Sequence, residues 1–143
     1  MRKTRKDIMC VDVSVLAKWF LPEEGEAAAS KLWERFVGGT ILWLPASWLA
    51  ELGSVVAQKV TSGALTLDEA DEVVKAATGM PAASVELSRV LRRAVFMATE
   101  LGISVWEALY LATAEAAEAV FYTADEELYE QIKERFSAME LVR

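Results

Sequence analysis

The sequence predicts an α/β sandwich built around a mostly parallel sheet of four to five short strands. Two observations carry this. Short apolar runs of four or five residues alternate along the chain with longer segments of helical periodicity, the pattern of strand–helix units that bury a sheet between helices. The joints between these segments also carry residues that start or stop helices: Pro, Gly, Ser and Thr at the expected places.

Taken in order, residues 8–12 are apolar without alternation and read as a short strand buried on both faces. Residues 14–20 form a helical segment ended by Leu21-Pro22, since the residue before proline avoids the helical region. Residues 23–37 open with acids and place Ala28, Leu32, Trp33 and Phe36 at helical spacing, with Gly38-Gly39 as the stop. Residues 41–44 read as a second strand. Pro45 and Ser47 open a helix to about residue 61, and Ser62-Gly63 closes it. Thr66-Leu67-Asp68-Glu69 is a capping-box pattern for a helix to about residue 78. Residues 83–87 read as a third strand, and Ser88 begins a helix that Gly102 stops. Ser104 caps the next helix, which runs to about residue 118. Residues 120–123 are a fourth strand, Asp125 caps a final helix to about residue 135, and residues 139–142 read as a short last strand.

At 143 residues the chain fits one domain spanning residues 1–143, long enough to bury a full core. Its 54% apolar content points to a large core with apolar surface left for an oligomer. The net charge of −7 argues against broad electrostatic coating of nucleic acid. The single Cys10 excludes an internal disulfide and fits a reducing, cytoplasmic compartment. There is no histidine, which removes imidazole acid–base catalysis and the common ligands of zinc. Residues 1–6 are basic and precede an apolar stretch, as in a secretory leader. Asp7, Asp12 and Lys18 interrupt that stretch, no small-residue cleavage site follows, and no apolar run is long enough to span a bilayer.

The chemistry is concentrated in four acids. Asp12 closes the first apolar run, Glu51 follows the second, Glu107 lies within Val105-Trp106-Glu107-Ala108-Leu109-Tyr110, and Asp125 follows the fourth. Carboxylates are costly beside buried surface unless compensated. Four without evident basic partners suggest a site completed by a metal ion, and so chemistry on phosphate esters. Oxygen-only ligands favour Mg²⁺ or Mn²⁺. Ligands of open α/β sheets bind beyond the carboxyl ends of the strands, where Asp12 and Asp125 stand. Singly, each acid has a plainer explanation. Asp125 and Ser14 are good helix caps, and a lone Glu51 or Glu107 is an ordinary solvated helix residue. Glu126 and Glu127 read as first-turn acids complementing the helix dipole, with Glu127 a further neighbour for a metal. Lys18, less than two turns beyond Asp12, is a candidate RNA contact. Arg89 and Arg93 share one helix face, either solvated or touching phosphate. Arg2, Lys3, Arg5 and Lys6 read as a soluble tail. The five tryptophans read as core or interface residues rather than base-stacking platforms.

Four segments together resemble PIN-domain proteins, specifically the VapC-type toxins of prokaryotic toxin–antitoxin pairs. They are the strand and acid of residues 11–20, the helix of residues 44–56 with Glu51, residues 101–112 with Glu107, and residues 122–128 with Asp125. The resemblance implies a PIN-like three-layer α/β/α sandwich and a metal-dependent endoribonuclease using Mg²⁺ or Mn²⁺. It implies Asp12 and Asp125 as metal ligands, with Glu51 and Glu107 ligating directly or through water and Ser14 and Thr123 supporting them by hydrogen bonds. It also implies a homodimer that binds a small VapB-type antitoxin, whose C-terminal segment places a basic side chain among the acids. One position departs from the pattern: the family's third acid is usually Asp, and here it is Glu107. That departure supports an alternative, a catalytically attenuated PIN-like module that binds RNA or protein. Two other phosphotransfer folds fit less well. A haloacid-dehalogenase-type phosphatase wants Asp where Ser14 stands, and a response-regulator receiver wants an adjacent acidic pair at the first strand.

Overall fold

The structure of the chain is a computed structural model that describes residues 8–21 and 27–143. The basic segment Arg2, Lys3, Arg5 and Lys6 and the start of the helix expected from residue 23 lie outside the described residues. Five strands, β1 (Ile8–Val11), β2 (Ile41–Pro45), β3 (Ala83–Val85), β4 (Val120–Thr123) and β5 (Met139–Leu141), form one sheet in the order β3-β2-β1-β4-β5. Every pairing is parallel. Seven helices accompany them among the described residues: α1 (Val13–Phe20), α2 (Ala27–Val37), α3 (Trp48–Thr61), α4 (Leu67–Thr78), α5 (Leu87–Leu101), α6 (Val105–Ala117) and α7 (Glu126–Ile132).

The central strand shows why three layers form. Met9, Cys10 and Val11 are all fully buried. Successive strand residues point to opposite faces, so both faces of β1 are covered, as all-parallel sheets require. The Cys10 thiol donates to the carbonyl of Tyr110 on α6 at 3.5 Å, which identifies the face that α6 covers. Burial pushes that thiol's pKa well up, so Cys10 behaves as a core residue. Helix α6 packs across β1, β2 and β4, and α5 packs on α6. The Arg93 guanidinium grips the Glu115 carboxylate at 2.8 and 3.0 Å across the α5–α6 pair. The sequence leaves Arg93 either solvated or touching phosphate; in the structure it makes this surface ion pair, which the sequence does not indicate. Helix α1 packs on β1 and β4 and gathers α2, α3 and α4. Trp19 stacks on Phe36 and meets the edge of Trp33, and its indole N–H donates to the Ala29 carbonyl at 2.9 Å, tying α1 to α2.

Local signals set most boundaries. Thr66 and Glu69 form the expected reciprocal capping box, and Gly102 takes the left-handed conformation that ends α5. Leu21 is extended, as the residue before Pro22 should be. Several edges differ from the sequence expectation by one to three residues: β1 ends at Val11, β3 at Val85 and β5 at Leu141, and Asp12 rather than Ser14 is the N-cap of α1, because its carboxylate accepts the amides of Ser14 and Val15. Pro45 ends β2 rather than opening α3: it pairs with Val85 at the last register position of a strand, where the missing N–H is tolerated. Helix α5 begins at Leu87, one residue early, with Glu86 as an N-cap whose side chain makes no capping bond. Helix α7 stops at Ile132, three residues short.

Helix α6 ends on Glu118, a non-glycine residue in the left-handed region at φ 53°. Side chains with a Cβ are disfavoured there by roughly 1 kcal/mol. Glu118→Gly is therefore expected to stabilise the protein by about 1 kcal/mol and raise its melting temperature by about 3 °C. Thermal unfolding followed by circular dichroism measures this; an unchanged or lower melting temperature counts against strain at that cap.

Candidate metal centre

The sheet order reverses at β1, so β1 and β4 flank the switch point where the carboxyl ends of parallel strands open a crevice. Asp12 is the first residue after β1, and Thr123 and Asp125 end β4 and begin α7. Between them lies a cleft of about 100 Å³ lined by all four predicted acids, Asp12, Glu51, Glu107 and Asp125, together with Ser14, Trp106 and Tyr110. Lys18 lies further along α1, outside this lining.

Asp12 organises the site. Its carboxylate is buried, with the residue 7% exposed. Oδ1 accepts the backbone N–H groups of Ser14 at 3.1 Å and Val15 at 3.3 Å, which caps α1, and also the Ser14 hydroxyl. Oδ2 accepts the Thr123 hydroxyl at 2.6 Å. Each hydroxyl that donates to Asp12 also accepts from the β4–α7 turn. Ser14 Oγ takes the N–H of Ala124 at 2.9 Å, and Thr123 Oγ takes the N–H of Asp125 at 3.0 Å. Two hydroxyls therefore bridge the carboxylate after β1 to the backbone after β4. These hydrogen bonds fix where Asp125 stands relative to Asp12.

The other three acids are each anchored by one oxygen. Asp125 Oδ1 accepts the N–H of Leu128 at 3.0 Å and caps α7. Glu107 Oε1 accepts both the N–H and the hydroxyl of Ser104 at 3.1 Å, closing a capping box on α6. Glu51 Oε2 accepts the Ser47 hydroxyl at 2.9 Å and the Tyr110 hydroxyl at 3.2 Å. Ser47 and Tyr110 are site residues that the sequence reading did not single out. The signal was present: Ser47 precedes Glu51 by four residues, and Tyr110 follows Glu107 by three, so both share a helix face with a predicted acid.

The electrostatics follow from burial. Desolvation lifts the Asp12 carboxyl to about 6, against the lowering effect of its hydrogen bonds. Burial, with a smaller push from the Asp12 charge, also raises Glu51, and burial first and the Glu51 charge second raise the Tyr110 phenol far above its usual range. Among the described residues, no Lys or Arg lines the cleft. An all-oxygen donor set around a buried carboxylate that holds its proton too tightly suits a hard divalent cation, and Mg²⁺ or Mn²⁺ fits it. Among the described residues, no three acids are gathered closely enough to hold one ion as the side chains stand. The local anchors explain this, since each carboxylate is turned toward its own helix start.

Comparison with known proteins bears on the family and the fold. The model of the PIN domain family matches residues 9–134. The crystal structure of PAE2754 from Pyrobaculum aerophilum is similar in fold, with a TM-score of 0.66 at 21% identity, over 94% of this chain and 83% of that one. No curated protein matches the sequence.

The raised Asp12 carboxyl has a thermodynamic consequence. Its folded value of about 6 lies above the ordinary 3.8, so the native state binds the proton more tightly than the unfolded chain. The resulting stability is fully present below the ordinary value and is lost as pH rises through about 6. The difference corresponds to about 3 kcal/mol. In chelator, urea unfolding of the wild type between pH 4 and pH 7 is expected to show this loss. Asp12→Asn, which keeps a capping oxygen without a titrating proton, is expected to flatten it. Parallel pH profiles for the two proteins would remove Asp12 as the source.

Proposed function

We propose a function for this chain from the fact that it belongs to the PIN-domain family, whose members are generally nucleases. The proposed activity is that of a metal-dependent endoribonuclease, acting as the VapC-type toxin of a toxin–antitoxin pair. One observation carries the nuclease reading: four acids from four separate elements line one cleft at the switch point of the sheet, with no cation among them.

Asp12 and Asp125 would hold Mg²⁺ or Mn²⁺, with Glu51 and Glu107 ligating directly or through water. Bound there, the ion supplies Lewis-acid polarisation of the scissile phosphate and a more acidic water for in-line attack. The chain's own part is orientation and proton handling. Each carboxylate commits one oxygen mainly to protein donors and keeps lone pairs on the other. Asp12 Oδ2 takes a single hydrogen bond, and among the described residues Glu51 Oε1, Glu107 Oε2 and Asp125 Oδ2 take none. Ser14 and Thr123 hold Asp12 and the turn before Asp125 in register. Glu51, with proton affinity raised by burial, would receive the proton of the attacking water. Lys18 is the proposed contact to the RNA backbone beyond the cleft.

The alternative is a PIN-like module with attenuated cleavage, and one observation favours it. Glu at position 107 completes a Ser-x-x-Glu capping box, which turns its carboxylate back on Ser104. A carboxylate bound to its own cap is a weaker ligand for anything else. Calorimetric titration with Mn²⁺ and cleavage of RNA oligonucleotides separate the readings. Asp12→Asn and Asp125→Asn are expected to abolish both Mn²⁺ binding and cleavage without unfolding the protein. Glu107→Asp is expected to match or exceed the wild-type rate, and Glu107→Gln to lose at least tenfold, the cost of misplacing one charged ligand. Wild-type Mn²⁺ affinity in both Asn variants would sink the assignment.

The toxin reading adds partners: a homodimer and a small acid-site-capping antitoxin. Exposed apolar side chains on α5, Leu91, Val95 and Phe96, support a protein-covered surface. An antitoxin Arg among the acids would satisfy the carboxylates that the ion satisfies, so the two should compete. Coexpression with the product of the gene immediately upstream, followed by light scattering and Mn²⁺ titration, is expected to show a dimer in the complex and weakened Mn²⁺ affinity. A monomer indifferent to that product would count against this role.

A further inference from the structure

The acid cleft shares Val13, Glu51 and Trp106 with a second, more open pocket of about 370 Å³ that is completed by Ala50 and Ser54. Trp106 forms part of both walls. It stands at the second position of α6, immediately before Glu107, and is 58% exposed. The other four tryptophans are all less exposed: Trp48 is buried in the core, and Trp19 and Trp33 pack in the aromatic cluster between α1 and α2. An indole this open, at the rim of an apolar pocket, suits a ligand with a flat apolar face.

The charge pattern narrows the ligand. Among the described residues neither pocket has Lys or Arg in its lining, and the whole chain carries −7. Beyond the phosphate that the proposed ion would hold, a polyanion at the acids therefore meets no protein cation among the described residues of these walls, and its added grip here is non-ionic. Stacking of a base on an aromatic ring provides that, because every base has a π-face and the contact carries no charge. Single-stranded RNA offers such bases, whereas duplex bases are already stacked. A base is separated from its own phosphate by one sugar. A base resting on Trp106 would therefore leave its phosphate beside the neighbouring Glu107 and the acids beyond it.

We propose that Trp106 is the stacking platform for the base next to the scissile phosphate, and that the pocket of Val13, Ala50, Ser54 and Trp106 is the subsite of that nucleotide. This inference rests on the nuclease reading and adds a binding residue to it. Trp106 touches the substrate's base and takes no part in the bond chemistry. The subsite favours unpaired RNA and tolerates more than one base, since indole stacking does not read hydrogen-bonding edges.

The test uses the full chain with Mn²⁺ and a single-stranded RNA oligonucleotide whose cleavage position has been mapped. Trp106→Ala is expected to raise KM by about 5- to 150-fold, the range for losing one base stack, with a much smaller change in kcat. Trp106→Phe, which keeps a ring, is expected to recover most of the loss. An abasic nucleotide beside the cleaved bond should raise KM for the wild type and add nothing in Trp106→Ala, because both changes remove the same contact. Circular dichroism melting within a few degrees of wild type, by the size scaling of small stability changes, confirms that Trp106→Ala is folded. Unchanged KM in Trp106→Ala, or penalties that add, would overturn the stacking platform while leaving the nuclease reading in place. If the wild type cleaves no RNA in Mn²⁺, the nuclease reading falls and this inference falls with it.

Discussion

The structure turns on the burial of one charge. Asp12 ends the central strand with its carboxylate out of water, and nearly every feature of the site answers that fact. Burial raises its proton affinity, and the hydrogen bonds that oppose the rise come from two directions. Backbone amides of α1 supply one set. Hydroxyls of Ser14 and Thr123 supply the other, and both are tied to the turn after β4. An unsatisfied carboxylate at that position would be intolerable to the fold. A satisfied one locks two neighbouring strand ends together.

The four acids share an architectural position. Asp12 and Asp125 are N-caps of α1 and α7, Glu107 completes the cap of α6, and Glu51 lies in the first turn of α3. Parallel topology places the starts of all four helices on the side of the sheet where the strands end. Positive helix termini thus meet four negative side chains around one cleft. The geometry gives each carboxylate a structural job that it performs with one oxygen. It also explains why four like charges can be held near one another without basic residues between them.

Much of this was legible in the sequence. The strand–helix alternation, the caps at Thr66, Ser104 and Asp125, and the stop at Gly102 are local signals, and the structure follows them. The convergence of the acids was legible because strand ends are themselves local. The misses have physical causes. Pro45 was read as a helix opener because its fixed φ suits that role; only pairing with Val85 places it at the end of a strand. Tyr110 looked like one more apolar helix residue, and its hydroxyl bond to Glu51 spans 59 residues of chain. Arg93 had two readings until α6 brought Glu115 beside it. For Trp106 the sequence leaves core and interface both open, because composition cannot report exposure, and its 58% exposure removes the core reading.

The double duty of the caps also shapes what mutation can do to this protein. Alanine at position 12 or 125 would remove a helix cap and a proposed metal ligand together, so a loss of the proposed activity and a loss of folding would coincide and neither could be blamed alone. Asn, Ser and Thr cap nearly as well as Asp. A copy of the gene released from selection for its chemistry would still be selected for those caps. Its decay should run through these uncharged cap residues before reaching Ala, leaving a folded protein with a silent centre.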